Sequence, residues 1–337
     1  MSRTKVFSAR APVRVDPAGG GTDAPPFSIE HGGKVVNIGI ARRACARLEV
    51  RPDTTEAVIT SEDLNREARA GSSSELAVDG ELDLLKGVAL RMKPPWGFHL
   101  SVACEVLPGS GLGSSGAVGV ACVGVFDKAM GVKRNRRDTA ELANSIERDD
   151  LGMEGGSQDS YGAAFGGINV ITYRRGGGTA CRQARIDAGT FYELERRCVL
   201  VYTGEAHLSY DIHSDIKRSY ALPHSPTVDA MKNLARIADE SSKALRAGDI
   251  DSFGELLNEN WRHHKRLHES CDSARLREFY DAAAKDAVGG KTCGAGGGGY
   301  VLFVAREGHR SVLERKCVDL GGLLLPFVID RDGLVCW

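Results

Sequence analysis

The sequence lacks the features that define several classes of protein. None of its nine cysteines forms a C-x-x-C pair, and an odd number of cysteines without framework spacing favours reduced thiols over a disulfide scaffold. No apolar run approaches the roughly 20 residues that a membrane span requires. The first eight residues contain no apolar core of a signal peptide. We therefore expect a cytoplasmic protein with no membrane partner.

The sequence also lacks a strong excess of charge of either sign. It contains 44 lysines and arginines against 45 aspartates and glutamates, which gives a net charge of −1. This balance gives no reason to expect a nucleic-acid partner. With 337 residues, 42% of them hydrophobic, the chain is long enough for one large domain or two ordinary domains with a real core.

The most informative segment is the glycine-rich stretch Pro108-Gly-Ser-Gly-Leu-Gly-Ser-Ser115. It follows an alternating run from Phe98 to Val106, which is typical of a half-buried strand. Apolar residues at helical spacing from Val118 to Phe126 come after it. Glycines allow close backbone approach, and the start of a helix favours anions. The segment therefore predicts a phosphate-binding loop between a strand and a helix.

Several known phosphate loops do not fit this segment. It matches G-x-G-x-x-G, but a dinucleotide site also needs a later strand that ends in an acidic residue. The stretch Gly131–Arg137 contains no such strand, and no lysine of a Walker A loop follows the glycines. The signature motifs of protein kinases are absent as well. A tight turn without a ligand remains the plain alternative.

Two further glycine-rich segments favour the phosphate loop over a turn without a ligand. Arg10–Asp23 contains three consecutive glycines, and Gly294–Gly299 directly precedes an apolar run at residues 300–305. Either segment alone could be a flexible loop. Three such loops beside predicted strands favour one crowded site where backbone meets an anionic ligand.

In the order and spacing of these three segments the chain resembles the GHMP kinases, over nearly its whole length. The segments Ala18-Gly-Gly-Gly-Thr-Asp23 with Pro25-Pro26, Gly155-Gly-Ser-Gln-Asp-Ser-Tyr161 and Phe165-Gly-Gly167 are most similar to the branch of heptose 7-phosphate kinases and fucokinase domains. The resemblance implies an α+β fold with two domains. It implies a strand-rich, ATP-binding N-terminal domain with a left-handed βαβ unit at residues 1–175, and a ferredoxin-like C-terminal domain at residues 195–337.

The hydrophobic periodicity of the sequence predicts some of the individual strands and helices. We expect strands at Val35–Ile40, Ala46–Val50, Gly167–Tyr173, Cys198–Tyr202, 300–305 and 323–329. Helices are expected at about 138–150, 209–221, 226–247, 250–269, 273–287 and 308–319. Asp138 is the predicted cap of the first of these helices, and Gly289-Gly290 the predicted stop of the helix that begins at residue 273.

The resemblance assigns chemical roles to four residues. Asp159 matches the catalytic aspartate of the family, although a turn or helix-capping role would be favoured for it on sequence alone. Arg14 matches the arginine beside that aspartate. Glu147 lies 12 residues before Asp159 and matches a magnesium-binding glutamate, with Ser115 as the second ligand and Ser114 as the alternative. A carboxylate and a hydroxyl suit Mg²⁺, which retains water and takes phosphate oxygens.

The remaining predicted contacts follow the glycine-rich segments. ATP is expected on Pro108, Gly109, Ser110, Gly111, Leu112, Gly113, Ser114 and Ser115. A small sugar or sugar phosphate is expected on Gly20, Gly21, Thr22, Asp23, Gly156, Ser157 and Gly296. The preferred activity is ATP-dependent phosphorylation of the anomeric hydroxyl of a heptose 7-phosphate or related sugar. The alternatives are a kinase for another alcohol, a non-catalytic binding protein on the same fold and an oxidoreductase. The resemblance also allows a homodimer.

The chain departs from the heptose kinase pattern at positions that concern substrate charge. Ser157 stands where those kinases usually carry lysine, and 202–207 lacks the usual arginine, with His207 near its place. Without other basic residues, neutral sugars should be accepted comparably to their phosphates. The basic residues that could replace the missing lysine and arginine as partners of a substrate phosphate are Lys34, Arg42 and Arg43. His264 and His268 are spaced for one helix face, where a plain polar surface is favoured over a metal pair.

Overall fold

The structure is a computed structural model that describes residues 5–205 and 209–337. It is built on two sheets, one of eight strands and one of four, with helices packed against both. The mixture of strands and helices confirms the predicted α+β class. Across the described ranges, every helix is too short or too polar to cross a lipid bilayer.

The larger sheet and its helices come almost entirely from the first half of the chain. In chain order these elements are β1 (Lys5–Ala18), α1 (Phe27–Glu30), β2 (Gly33–Arg51), β3 (Ala57–Ser61), β4 (Arg66–Ala70), α2 (Asp83–Met92), β5 (Gly97–Cys104), α3 (Ser114–Met130), α4 (Arg136–Ser145), α5 (Gln158–Phe165), β6 (Ile168–Tyr173) and β7 (Thr179–Gln183). A π-helical segment, Ile146–Asp150, continues α4.

The smaller sheet is antiparallel, with strand order β11-β8-β10-β9. The elements of this half are α6 (Ala188–Arg197), β8 (Cys198–Tyr202), α7 (Ser209–Ala221), α8 (Thr227–Ala247), α9 (Ile250–His264), α10 (Ala274–Ala283), β9 (Ala287–Thr292), β10 (Tyr300–Ala305), α11 (Arg310–Asp319), β11 (Leu323–Leu325) and β12 (Val335–Cys336). The last strand leaves this half and pairs with β1 of the larger sheet.

The long hairpin of β1 and β2 and the helix α3 form the base of the molecule. The two strands pair antiparallel from Lys5↔Val50 to Ala18↔Val36. Helix α3 packs on both strands, and its side chains Val120, Val123 and Phe126 are fully buried. Burial of this apolar helix places its N-terminus beside Arg14 of β1, within the segment Arg10–Asp23.

The hydrophobic pattern of the sequence predicted many of the observed helices and strands, but it misplaced the first or last residue of some of them. The cap of α4 is Asn135, whose side chain accepts a hydrogen bond from the Asp138 N–H. Asp138 is therefore in the first turn, and the prediction that it caps the helix was wrong. The two predicted strands between Val35 and Val50 are one continuous strand, β2, and the last predicted strand ends at Leu325.

The prediction for Gly289-Gly290 was also wrong, because both residues lie inside β9. A Cβ on Gly289 would lie 1.9 Å from the carbonyl oxygen of Gly254 in α9, and one on Gly290 would lie 2.3 Å from the ring of Phe303. These glycines let a helix and an aromatic ring pack closely on the strand. A glycine pair that follows a helical pattern looks the same in sequence in two cases: where it ends the helix, and where it lies in a later strand and lets neighbouring elements pack closely on that strand.

Candidate active site

A cleft between the two halves of the molecule brings the three glycine-rich segments together. We call this space the inner cleft. Gly21 comes from the first segment, Gly109, Gly111 and Gly113 from the second, and Gly294 from the third. Segments nearly 300 residues apart in sequence therefore face one volume, as expected for a shared site.

Two glycines of the second segment are required by close contacts. Gly111 has a φ of +86°, and a Cβ there would lie 2.5 Å from the carbonyl oxygen of Cys293. Gly113 has a φ of +70°, and its Cβ would lie 3.0 Å from the carboxyl carbon of Asp159. Helix α3 starts at Ser114, directly after this turn. Its first N–H groups have no partner within the helix, so this end of the cleft favours an anion.

The predicted nucleotide-binding residues divide into two groups. Gly109, Gly111, Gly113, Ser114 and Ser115 line the inner cleft. Pro108, Ser110 and Leu112 do not line it. The carbonyl oxygens of Ser110 and Leu112 instead accept hydrogen bonds from the backbone N–H groups of Tyr300 and Arg14. The second group thus fixes the loop to two strands.

The buried Arg14 pairs with the partly exposed Asp159 in the inner cleft. The Arg14 Nε donates to Asp159 Oδ1 over 2.7 Å, and its Nη1 donates to the carbonyl oxygen of Gly111 over 2.6 Å. Burial alone would lower the pKa of Arg14, but the carboxylates of Asp159 and Asp16 raise it above its ordinary value. The guanidinium stays charged and holds Asp159 next to the loop.

Asp23 is a buried carboxylate that also lines the inner cleft. It accepts hydrogen bonds from the backbone N–H groups of Gly21 (3.1 Å) and Gln158 (3.2 Å). Burial, and then the charge of Asp159, raise the pKa of Asp23 to about 6. Gly156 packs directly on it, since a Cβ there would lie only 1.7 Å from Asp23 Oδ2. The carboxylate is fixed in place, with the inner cleft in front of it.

The other residues predicted to bind the acceptor lie behind the cleft wall. Gly21, Asp23 and Gly156 line the inner cleft, whereas Gly20, Thr22, Ser157 and Gly296 do not. The Thr22 hydroxyl donates to the carbonyl oxygen of Gly19, and the Ser157 hydroxyl bonds to that of Tyr173 over 3.1 Å. These side chains hold neighbouring turns together.

Glu147 and Ser115 meet at the start of α3. Glu147 belongs to the π-helical segment, which bulges out of α4 towards the cleft. Burial raises the pKa of Glu147 to about 7, and the charge of Asp159 acts in the same direction. A hydrogen bond from the Ser115 hydroxyl opposes this rise. Glu147 is thus a poorly solvated carboxylate at the anion-binding end of the cleft.

The donor set fits Mg²⁺ bound jointly with phosphate. Within residues 5–205 and 209–337, no three His, Cys, Asp or Glu side chains come together as a complete metal site. Magnesium needs no such cage, because it keeps several waters and takes one or two protein ligands together with substrate phosphates. A carboxylate whose pKa is raised by enclosure is stabilised by a nearby cation. Ser115 and Glu147 would be the protein ligands.

A buried ion pair that sequence reasoning missed also faces the cleft. Lys291 Nζ lies 3.0 Å from Asp16 Oδ2, and both side chains are 1% exposed. Asp16 Oδ1 accepts a hydrogen bond from the N–H of Gly294 over 2.8 Å. The one available signal was the spacing of Arg14 and Asp16, which alternate on one side of β1. Nothing in the sequence linked them to a lysine 275 residues away.

The histidine pair predicted on one helix face is not formed. His264 ends α9, and His268 lies beyond it as the cap of a short 3₁₀ turn. The His264 Nε2 lies 2.9 Å from the carbonyl oxygen of Ala295, and burial, with the charge of Lys291, lowers the pKa of His264 to about 4. The expected polar surface is therefore wrong for His264, which is buried in the wall of the inner cleft.

The basic residues expected to compensate for Ser157 point elsewhere. Lys34 Nζ bonds to Asp239 over 2.5 Å, and Arg43 bonds to Asp330 over 2.7 Å. Neither residue lines the inner cleft, and Arg42 does not line it either. His207 lies outside the described residues.

Comparison with known proteins gives one consistent family. The model of the GHMP kinases N terminal domain matches residues 83–167, and that of the GHMP kinases C terminal region matches residues 241–319. The D-glycero-alpha-D-manno-heptose 7-phosphate kinase of Campylobacter jejuni is 30% identical, over 99% of both chains. The bifunctional fucokinase/GDP-fucose pyrophosphorylase of Arabidopsis thaliana is 27% identical over 94% of this chain and 31% of its own length.

A solved structure agrees with these relatives. The D-glycero-D-manno-heptose 1-phosphate kinase from Bacteroides thetaiotaomicron superposes with a TM-score of 0.83 at 28% sequence identity. The match covers 98% of each chain, so the similarity includes both sheets and the cleft between them.

Proposed function

The chain belongs to the GHMP kinase family, and we propose that it phosphorylates the anomeric hydroxyl of a heptose 7-phosphate or a closely related sugar. It is an ATP-dependent sugar kinase with the mixed two-domain fold of that family. We assign residues 1–175 to the N-terminal domain and residues 195–337 to the C-terminal domain. The inner cleft lies between them and is the proposed active site.

One observation carries this proposal. The Asp159 carboxylate lies between the anion-binding start of α3 and the buried Asp23, and Arg14 holds it there by a 2.7 Å hydrogen bond. Phosphoryl transfer requires an acceptor hydroxyl, a γ-phosphate and a group that orients or deprotonates the hydroxyl, all within one closed space. The inner cleft offers a position for each.

In the proposed reaction Asp159 accepts the proton of the anomeric hydroxyl. The freed oxygen forms a bond to the γ-phosphorus of ATP, and the bond from that phosphorus to the β,γ-bridging oxygen breaks, which releases ADP. The positive charge of Arg14 stabilises negative charge that builds on the transferring group. Proton transfer to a positioned base contributes roughly 10²–10⁴-fold to such a rate.

The phosphates of ATP would lie on the backbone of Gly109–Gly113 and the first turn of α3. Ser115 and Glu147 would hold Mg²⁺ beside them. When bound, the ion would supply positive charge that offsets the charge of the phosphates. Glu147 is well placed for this role because its raised pKa reflects a need for positive charge.

Asp23 is the proposed contact of the acceptor hydroxyls. Two backbone N–H groups fix its carboxylate, so it can accept hydrogen bonds from a sugar without first reorganising. Gly21 and Gly156, which flank it, leave room for a sugar ring against the backbone.

The proposal is tested by ADP release over a panel of sugars and sugar phosphates, followed by identification of the phosphorylated carbon. We expect the highest kcat/KM for a heptose 7-phosphate and a product phosphorylated on the anomeric carbon. Preference for galactose, fucose or a non-sugar alcohol would reject the heptose assignment. Absence of ADP release with every acceptor, in a preparation that binds ATP, would reject catalysis.

A further inference from the structure

A second space opens directly from the inner cleft. We call it the outer compartment. Its own walls include Pro25, Pro26, Phe27, Lys217 and Tyr220. Its volume of about 480 Å³ falls within the range of ordinary ligand pockets. The reaction described above does not use this space.

The junction of the two spaces is formed by residues that line both of them. These include Arg148 from the π-helical segment, Glu154 from the loop before α5, and His213 from α7. An acceptor with one end at Asp159 and Asp23 can therefore extend past this junction into the outer compartment. The outer compartment is where the far end of a long acceptor would lie.

The two spaces differ in charge. The inner cleft contains the carboxylates of Asp16, Asp23, Glu147 and Asp159. The outer compartment has the cations Arg148 and Lys217 on its wall, against the single carboxylate of Glu154. Burial lowers the pKa of His213, which also lines this compartment. Arg14 is the inner cleft's own cation, and Arg148 and Glu154 line both spaces, so Lys217 is the charge that only the outer compartment has. The outer compartment therefore has an excess of positive charge that suits an anionic group on the acceptor.

The two cations differ in their present partners. Lys217 Nζ bonds to Glu154 over 2.6 Å. Asp150, which lies close to Arg148 in sequence, pairs with Arg91 instead. Arg148 takes part in no ion pair with the side chains that the structure describes. A guanidinium offers a planar fork that matches two phosphate oxygens, and an ammonium adds a point charge. Together they form a suitable pair for a phosphate dianion.

We propose that Arg148 and Lys217 bind the terminal phosphate of a sugar phosphate acceptor in the outer compartment. The inference rests on the proposed function, and it replaces the expectation that neutral sugars are accepted comparably. In this arrangement the phosphate takes the place of Glu154 as partner of Lys217.

The test compares kcat/KM for heptose 7-phosphate with kcat/KM for the free heptose. We expect the wild-type protein to prefer the phosphorylated sugar by about 100-fold or more. Each of the variants Arg148→Gln and Lys217→Gln should reduce this preference by roughly tenfold or more, the worth of one charged hydrogen bond. The loss should be larger for the phosphorylated sugar than for the free heptose in both variants. In Lys217→Gln, whose residue lines the outer compartment but not the inner cleft, KM for ATP should stay within about twofold.

Two matched variants control for charge alone. Lys243→Gln removes an exposed lysine of α8 that pairs with Asp239. Lys243 lines neither the inner cleft nor the outer compartment, so this variant should leave the preference unchanged. Glu154→Gln removes the competing carboxylate and should maintain or increase the preference. A preference that survives both Arg148→Gln and Lys217→Gln overturns the inference, as does a wild-type protein without preference.

A binding measurement separates this inference from the proposed function. Calorimetric titration of heptose 7-phosphate into Asp159→Asn protein, with a non-hydrolysable ATP analogue present, needs no turnover. Tight binding that is weakened by Arg148→Gln and Lys217→Gln supports the phosphate site even if the wild-type protein phosphorylates another carbon. Equal binding of the phosphorylated and free sugars overturns the phosphate site while the kinase activity stands.

Discussion

The Lys291 ammonium lies 3.0 Å from Asp16 Oδ2, and both side chains are almost completely buried. The other oxygen of Asp16 accepts the N–H of Gly294. This single carboxylate therefore joins β1, which also carries Arg14, to the third glycine-rich segment. Arg14 and Gly294, which both line the inner cleft, are thus linked through one buried ion pair.

Removal of one partner of this pair should be costly. We expect Lys291→Met to lower the free energy of unfolding by about 3–5 kcal/mol, because it leaves the Asp16 carboxylate buried without a counter-ion. The double variant Asp16→Asn/Lys291→Met should recover part of that loss. Denaturant titration of the three proteins measures both effects. A loss below about 1 kcal/mol in the single variant would contradict this account of the pair.

A matched pair of glycine substitutions tests the position of Asp23. A Cβ on Gly156 would lie 1.7 Å from Asp23 Oδ2, whereas one on Gly155 would have nothing within 4 Å. Gly156→Ala must displace the carboxylate and should reduce kcat/KM for the acceptor by roughly 10- to 100-fold, as misplacement by about 1 Å does. Gly155→Ala should retain nearly full activity, and KM for ATP should change little in either variant. Equal effects of the two substitutions would remove Asp23 from the acceptor site.

The sequence predicted those parts of the site whose signal is local. The phosphate loop is one continuous segment between a strand and a helix, so its glycines and the start of α3 at Ser114 could be recognised from residue order alone. The roles of Asp159, Arg14, Asp23 and Glu147 came from the family resemblance, and they stay predictions. The structure adds that these three carboxylates and one guanidinium share the inner cleft with Asp16.

The parts that could not be predicted depend on contacts between distant segments. Asp16 and Lys291 are separated by 275 residues, and Arg148 and Lys217, from different halves of the chain, line the same outer compartment. Neither pair produces a local pattern. The candidates chosen by residue type, Lys34 and Arg43, are instead held by Asp239 and Asp330. Where a charged side chain points is decided by tertiary packing rather than by its neighbours in sequence.

Magnesium dependence tests the ligands at the start of α3. Ser115→Ala and Glu147→Gln should each raise the Mg²⁺ concentration needed for half-maximal rate, because each removes one proposed oxygen ligand. Titration of Mg²⁺ at saturating ATP measures this. Ser114→Ala is the comparison, since Ser114 is the neighbouring hydroxyl on the same turn. Unchanged metal dependence in the first two variants would exclude the shared site, and a shift in Ser114→Ala alone would move it to Ser114.

The raised pKa of Glu147 predicts a pH dependence of stability in metal-free protein. Its pKa is about 7 in the folded chain against an ordinary value of 4.5, so the folded state binds the proton more tightly. The contribution is present below pH 4.5 and is lost as the pH rises through 7. From pH 5 to pH 8 the stability of Glu147→Gln should therefore rise by about 2 kcal/mol relative to wild type. Urea titrations with EDTA at both pH values measure this difference, and a constant difference would contradict the raised pKa.

The role of Asp159 as proton acceptor is the central claim. The measurement is kcat of Asp159→Asn with the best acceptor at saturating ATP, together with calorimetric binding of ATP and a denaturant unfolding curve. We predict that kcat falls by roughly 10²–10⁴-fold while the affinity for ATP and the cooperativity of unfolding are retained. A variant that keeps more than about a tenth of the wild-type kcat, a loss of less than about 1.4 kcal/mol in activation free energy, would show that Asp159 is not the base.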